Sequence, residues 1–159
     1  MTALVKGKKQ NQAALAVLVG GGIAGVIDIS VAAISTALNG GDPMRMLRGI
    51  AFALIGPAAL KGGVGMSLLG LACHFAITFG TALAYYLVSR YWSLLVRDPV
   101  LCGLLYGVIV FGITNFVIVP LSRIGRALPG SAGGTFFGVC VLMIGVGLPI
   151  ALATRRFAR

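Results

Sequence analysis

Four long apolar runs divide the chain: residues 13–38, 64–88, 100–119 and 132–153. A helix needs roughly 20 apolar residues to cross a hydrocarbon core about 30 Å thick, and each run meets that length. Turn residues or charge bound them, at Asn39-Gly40-Gly41, Lys61-Gly62-Gly63, Asp98-Pro99 and Pro129-Gly130. Period-2 alternation is missing from all four, which removes a transmembrane barrel. The pattern predicts an all-α polytopic membrane protein, a four-transmembrane-helix bundle forming one integral membrane domain over residues 1–159.

Composition agrees. Hydrophobic residues make up 58% and charged residues 10%, where soluble domains average about 25% charged. The only acids are Asp28, Asp42 and Asp98. So few charges cannot cover a water-facing surface, which excludes a soluble enzyme, and so apolar a chain is not disordered. The net charge of +10 is carried between the apolar runs, where Lys and Arg anchor at lipid headgroups. The expected partner is therefore the lipid bilayer and not nucleic acid. Cys73, Cys102 and Cys140 all fall inside runs and read as small buried hydrophobes rather than a disulfide framework. The first run is much longer than a signal-peptide core and carries Asp28 in its middle, so it reads as a retained helix.

Between the first two runs, Asp42 suits a helix N-cap and Pro43 the first helical position. The apolar stretch from Gly49 to Leu60 is too short to span, and Gly56-Pro57 should break it. A short interfacial or re-entrant helix is expected here, with Arg45 and Arg48 anchored at headgroup level. Tyr85, Tyr86, Tyr91 and Trp92 beside Arg90 read as an interface belt at the far end of the second span. With four spans, Lys6, Lys8, Lys9, Arg90, Arg97, Arg155, Arg156 and Arg159 share a side with both termini. Arg45, Arg48, Lys61, Arg123 and Arg126 lie opposite. The positive-inside rule then puts both termini in the cytoplasm.

Lipid chains give no hydrophobic drive for helix association, so small residues that permit close backbone approach matter. Gly21 and Gly25 stand four apart in the first span, Gly103 and Gly107 in the third, Gly134 and Gly138 in the fourth. The second carries Ala72, Ala76, Gly80 and Ala84 on one face. These are the expected packing stripes, within the chain or toward a second copy in a homo-oligomer or larger membrane complex.

Three polar residues stand out in apolar surroundings: Asp28, His74 and Asn115. An ionisable group at mid-membrane costs about 2.5–3.5 kcal/mol on insertion scales and usually faces the bundle interior with a partner. At about 1.5 Å rise per residue, all three fall about 21–23 Å from the cytoplasmic boundary. They are expected to share a buried polar layer, His74 donating to Asp28 and Asn115 completing the network, with hydroxyls of Ser30, Thr78, Thr81 and Thr114 available nearby. The layer reads first as interhelical glue in a structural or accessory membrane protein. The alternative is a proton-binding site in a small proton-coupled carrier or channel. A phosphate-binding loop, a metal-ligand cluster, a haem ligand pair and a nucleophilic triad are all missing. No enzyme activity, cofactor or metal is expected.

Ile23-Ala24-Gly25-Val26, then His74-Phe75 with Tyr85 downstream, then Gly103 to Gly107 leading to Val119-Pro120-Leu121 together resemble the YagU-like family of small uncharacterised bacterial inner-membrane proteins. The likeness runs from about Ala13 to Ser122. It implies a multi-pass protein of the bacterial inner membrane and, through one member, a link to acid tolerance. It implies no established activity.

Overall fold

The structure is a computed structural model that describes residues 2–125 and 131–157, with side chains from residue 11 onward. The side chains of Lys6, Lys8 and Lys9, as well as Arg126, Arg159 and the turn at Pro129-Gly130, lie outside the described residues. Seven helices and no strand occur among the described residues. They are α1 Thr2–Leu38, α2 Pro43–Ile55, α3 Ala58–Lys61, α4 Val64–Ser89, α5 Leu94–Arg97, α6 Pro99–Leu121 and α7 Ala132–Phe157. Four of them, α1 from Asn11, α4, α6 and α7, are long and apolar enough to cross a membrane. They overlie the four runs read from the sequence, with ends moved by only a few residues. Large apolar side chains such as Leu18, Leu68, Leu101 and Ile144 cover the outside, as a lipid-facing surface requires.

The α2 helix starts as its sequence dictates. The Asp42 carboxylate accepts from the Met44 amide at 2.8 Å, and Pro43 opens the first turn. It stops at Gly56, whose φ of 77° is open to glycine but strained for other residues. Its first half packs on α4, where the Ser67 hydroxyl donates to the Met44 carbonyl at 3.0 Å. Gly70 is pressed so closely there that a methyl group on it would overlap the Leu47 carbonyl oxygen. At its other end the Ala53 carbonyl accepts from the Arg123 amide at 3.0 Å, just beyond α6. The short helix thus bridges α4 and α6 across one end of the bundle. Arg45 is exposed. Arg48 turns onto its own loop instead, donating to the Gly62 carbonyl at 3.1 Å and pairing with Asp42 at 3.3 Å. With Asp42 half exposed, that ion pair is worth at most about 1 kcal/mol.

The α1 helix sits in the middle of the bundle, with α4 on one side, α7 on the other, and α6 packed against α7. Glycines set each seam. On α1, Gly21 and Gly25 face α4: a methyl on either would come within 2.6 Å of the Phe79 or Phe75 ring. Gly20, on the opposite side, meets Ile150 and Ala153 of α7. On α6, Gly103 and Gly107 lie against Gly147, Leu148 and Met143 of α7, backbone on backbone. Ala24, Ala82, Tyr85, Val146, Ile150 and Ala151 fill the common core.

The packing stripes are narrowed, since not all of them pack within the chain, and the interface belt is corrected. Ala76 and Gly80, with Ala72 and Ala84, lie on the outward face of α4, and nothing stands within 4 Å of a methyl placed on Gly80. The inward face carries Ser67, Gly70, His74, Thr78, Ala82 and Tyr85 instead. The two stripes are half a turn apart, so only one could be buried. Polar groups lose more than Ala or Gly by facing hydrocarbon, and they took the inside. Gly134 is likewise exposed and meets only its own N-cap Ser131, while Gly138 approaches the Phe111 ring. Tyr85, expected in the interface belt, is 1% exposed, and its neighbour Tyr86 is also buried. Tyr91 and Trp92, at 87% and 67% exposed, do stand outside at that end.

Both later spans change register near a proline. Thr114–Ile118 in α6 and Leu142–Gly147 in α7 are π-helical, and each is followed two residues later by Pro120 or Pro149. Proline lacks the amide hydrogen and crowds the carbonyl four residues back, at Phe116 and Gly145, both inside the widened turns. Widening the preceding turn relieves the clash without leaving the membrane helix. Gly70→Ala and Gly107→Ala should each lose about 1–3 kcal/mol by overpacking, and Gly80→Ala should lose none. Reversible unfolding in mixed micelles, followed by circular dichroism, measures all three.

Candidate functional site

The inward face of α4 brings His74 against α1, and the Gly21 and Gly25 seam lets it come close. His74 is buried, and its Nε2 lies 3.0 Å from the Gly25 carbonyl oxygen. A carbonyl only accepts, so Nε2 carries the proton. The other ring nitrogen, Nδ1, then faces Asp28, with 3.9 Å to Oδ2. Gly25 and Asp28 are three residues apart on one face of α1, so a single imidazole spans both. Phe75 meets the His74 ring edge-on at 5.5 Å between centroids and limits its tilt.

The expected layer is therefore half assembled. Asp28 and His74 come together, but 3.9 Å exceeds hydrogen-bond length. Asn115 does not join them: its amide donates to the Phe111 carbonyl of its own helix at 2.9 Å. That bond falls where α6 passes from α-helical to π-helical register, so Asn115 serves the backbone at the irregularity. Thr78 and Thr81 also bond within their own helix, to the Phe75 and Thr78 carbonyls. Ser30 is exposed.

The space these groups leave between them is a cavity of about 610 Å³, within the range of small-molecule sites. Asp28, His74, Thr81, Thr114 and Asn115 line it with a much larger apolar wall that includes Val110, Phe111, Leu142 and Val146. Among its lining residues, Asp28 and His74 are the only titratable ones. Met46, Gly49, Ile50 and Ala53 of α2 form its roof. Below Thr81 lies a pair of tyrosines. Tyr106 donates to the Thr81 carbonyl at 2.8 Å, Tyr85 donates to the Leu95 carbonyl at 3.0 Å, and their rings meet edge-on at 4.9 Å.

The tyrosine floor and the α2 roof were not read from the sequence. A phenol deep in the third span was the available signal, since a buried Tyr hydroxyl demands an acceptor. Among the described residues no three His, Cys, Asp or Glu side chains converge as a metal site would require. The three cysteines are unpaired thiols.

Comparison with protein-family models, with curated proteins and with solved structures finds no match to this chain. The geometry itself defines the class: a multi-pass membrane protein of four apolar helices around a largely apolar cavity with one carboxylate and one imidazole on its wall.

The two polar contacts make different energetic demands. A double-mutant cycle of Asp28→Asn with Asn115→Leu should be additive within about 0.5 kcal/mol. The same cycle with His74→Ala should show coupling beyond that, since those two side chains face each other. Nitrogen-15 spectra of the imidazole should report Nε2–H for its neutral form.

Proposed function

We propose that this protein is a small proton-coupled carrier that works through the Asp28–His74 pair. The observation that carries this reading is the cavity: polar groups acting as glue satisfy one another at hydrogen-bond distance, whereas these face an open space at 3.9 Å. With Nε2 committed to Gly25, one proton can reside on Nδ1 or on the Asp28 carboxyl. Transfer between the two needs only a small side-chain movement. A solute entering the cavity changes the surroundings of both groups and so the hold on that proton, which is the elementary requirement of coupling. The role proposed is non-catalytic, with the pair serving as a proton site.

The resemblance to the YagU-like family and the bias of basic residues support a bacterial inner-membrane location with both termini in the cytoplasm. A second reading, a subunit or self-associating component of a larger membrane assembly, is favoured by the outward stripe Ala72, Ala76, Gly80 and Ala84. Such a stripe suits close approach of another helix.

Vesicles containing the purified chain and a pH-sensitive dye, with an imposed pH gradient, separate the two. Challenged with a panel of cationic, anionic and neutral organic solutes, wild-type vesicles should lose the gradient with at least one solute. Asp28→Asn vesicles should keep it, with the helical spectrum unchanged. Gradients untouched by every solute, together with native mass spectra showing stoichiometric larger subunits, would replace the carrier with the accessory component.

A further inference from the structure

The carrier reading names no solute, and the cavity wall narrows the choice. We propose that the cavity takes a membrane-dissolved organic monocation, an apolar body with a single positive charge, which enters sideways between α4 and α6 and sets its charge on Asp28.

The entry route follows from how the helices pack. The α1 helix packs along α4 and along the Leu142–Phe157 part of α7, and α6 packs along α7, while α4 and α6 face each other across the cavity. They meet at the floor, through Tyr106 to Thr81 and the Tyr85 ring. Beyond that point they do not pack along their lengths. Ile77 of α4 lines the cavity and is also 40% exposed on the outside, so it stands at the edge of an opening. The gap lies along the apolar flanks of two membrane-spanning helices. What reaches it is what dissolves in lipid.

The chemistry of the wall sets the rest. An apolar lining of this extent recovers contact only with an apolar body. Asp28 is the sole carboxylate on the wall, no Lys or Arg accompanies it, and its side chain keeps 25% of its surface open. Its oxygens have no hydrogen bond among the described residues, and His74 Nδ1 stands 3.9 Å from Oδ2. A carboxylate so placed is stabilised by one positive charge beside it and opposes an anion. A bare metal ion would need several oxygen ligands, which the valine, leucine and phenylalanine wall does not supply. The occupant is thus charged once and apolar elsewhere. This inference rests on the carrier reading for its purpose, but binding is measured apart from transport.

Equilibrium binding of tetraphenylphosphonium to the full chain in lipid nanodiscs tests it, with tetraphenylborate as the anion of the same shape. Wild type should bind the cation saturably, and the anion should not compete. Asp28→Asn should weaken binding at least tenfold, while Asp98→Asn leaves it unchanged. Thr114→Phe, which fills the cavity from α6 without touching Asp28, should weaken it comparably and decides the matter if Asp28→Asn fails to fold. Ile77→Trp should slow association several-fold. Absent binding, equal binding of the anion, or undiminished binding in both cavity variants would overturn the proposal. Cation binding without any solute-driven loss of a vesicle pH gradient would sustain this site and remove the carrier. Gradient loss driven by other solutes, with no cation bound, would do the reverse.

Discussion

Helices dissolved in lipid gain nothing from leaving it for one another unless their backbones can approach closely, and in this protein that approach is concentrated on α1. Gly20 opens one side of α1 to α7, and Gly21 and Gly25 open the other to α4. The site depends on the second of these contacts. A side chain on Gly25 would run into the Phe75 ring and the Thr78 hydroxyl; without one, α4 comes close enough for the His74 ring to reach the Gly25 carbonyl, with the opposite ring nitrogen turned toward Asp28. Dispersion contacts along the Gly103 and Gly107 seam then hold α6 against α7. The cavity is what remains between two tight seams that share α1 and α7 as a back wall.

The architecture was legible because a bilayer permits few alternatives. Run length gave the spans, and Asp42 with Pro43 gave the start of α2. The depth of Asp28 and His74 could be estimated from helical rise alone, and the pair does meet. Asn115 lies on the same cavity wall, but depth says nothing about which bond an amide prefers. The amide took the carbonyl one turn back, at the edge of the π-helical stretch that precedes Pro120.

The α4 stripe shows a different limit. Ala72, Ala76, Gly80 and Ala84 have the spacing of a packing seam, yet so do Ser67, Gly70, His74 and Thr78, on the other side of the same helix. Small apolar residues are at home in lipid and in a seam alike, so their spacing identifies a face without saying where it points. Polar residues are not indifferent, and they decide the rotation of the helix. Tyr85 illustrates the same rule: its aromatic body and terminal hydroxyl suit an interface belt, but an acceptor at Leu95 let it close the core from below. Its position near the end of a span was compatible with both.

The widened turns before Pro120 and Pro149 have a mechanical meaning. They stand on the two helices that form one wall of the cavity, and both contribute lining residues: Thr114, Asn115 and Ile118 from one, Leu142 and Val146 from the other. Membrane helices bend where the hydrogen-bond ladder changes register. The compliance of this bundle is therefore located beside its hollow rather than spread along its length. The lower ends of α6 and α7 are held together by Gly103, Ala151 and the tyrosines, on the far side of the widened turns from α2. Those two widened stretches, one on each helix, rather than any loop, are where the backbone bordering the volume around Asp28 departs from regular α-helix.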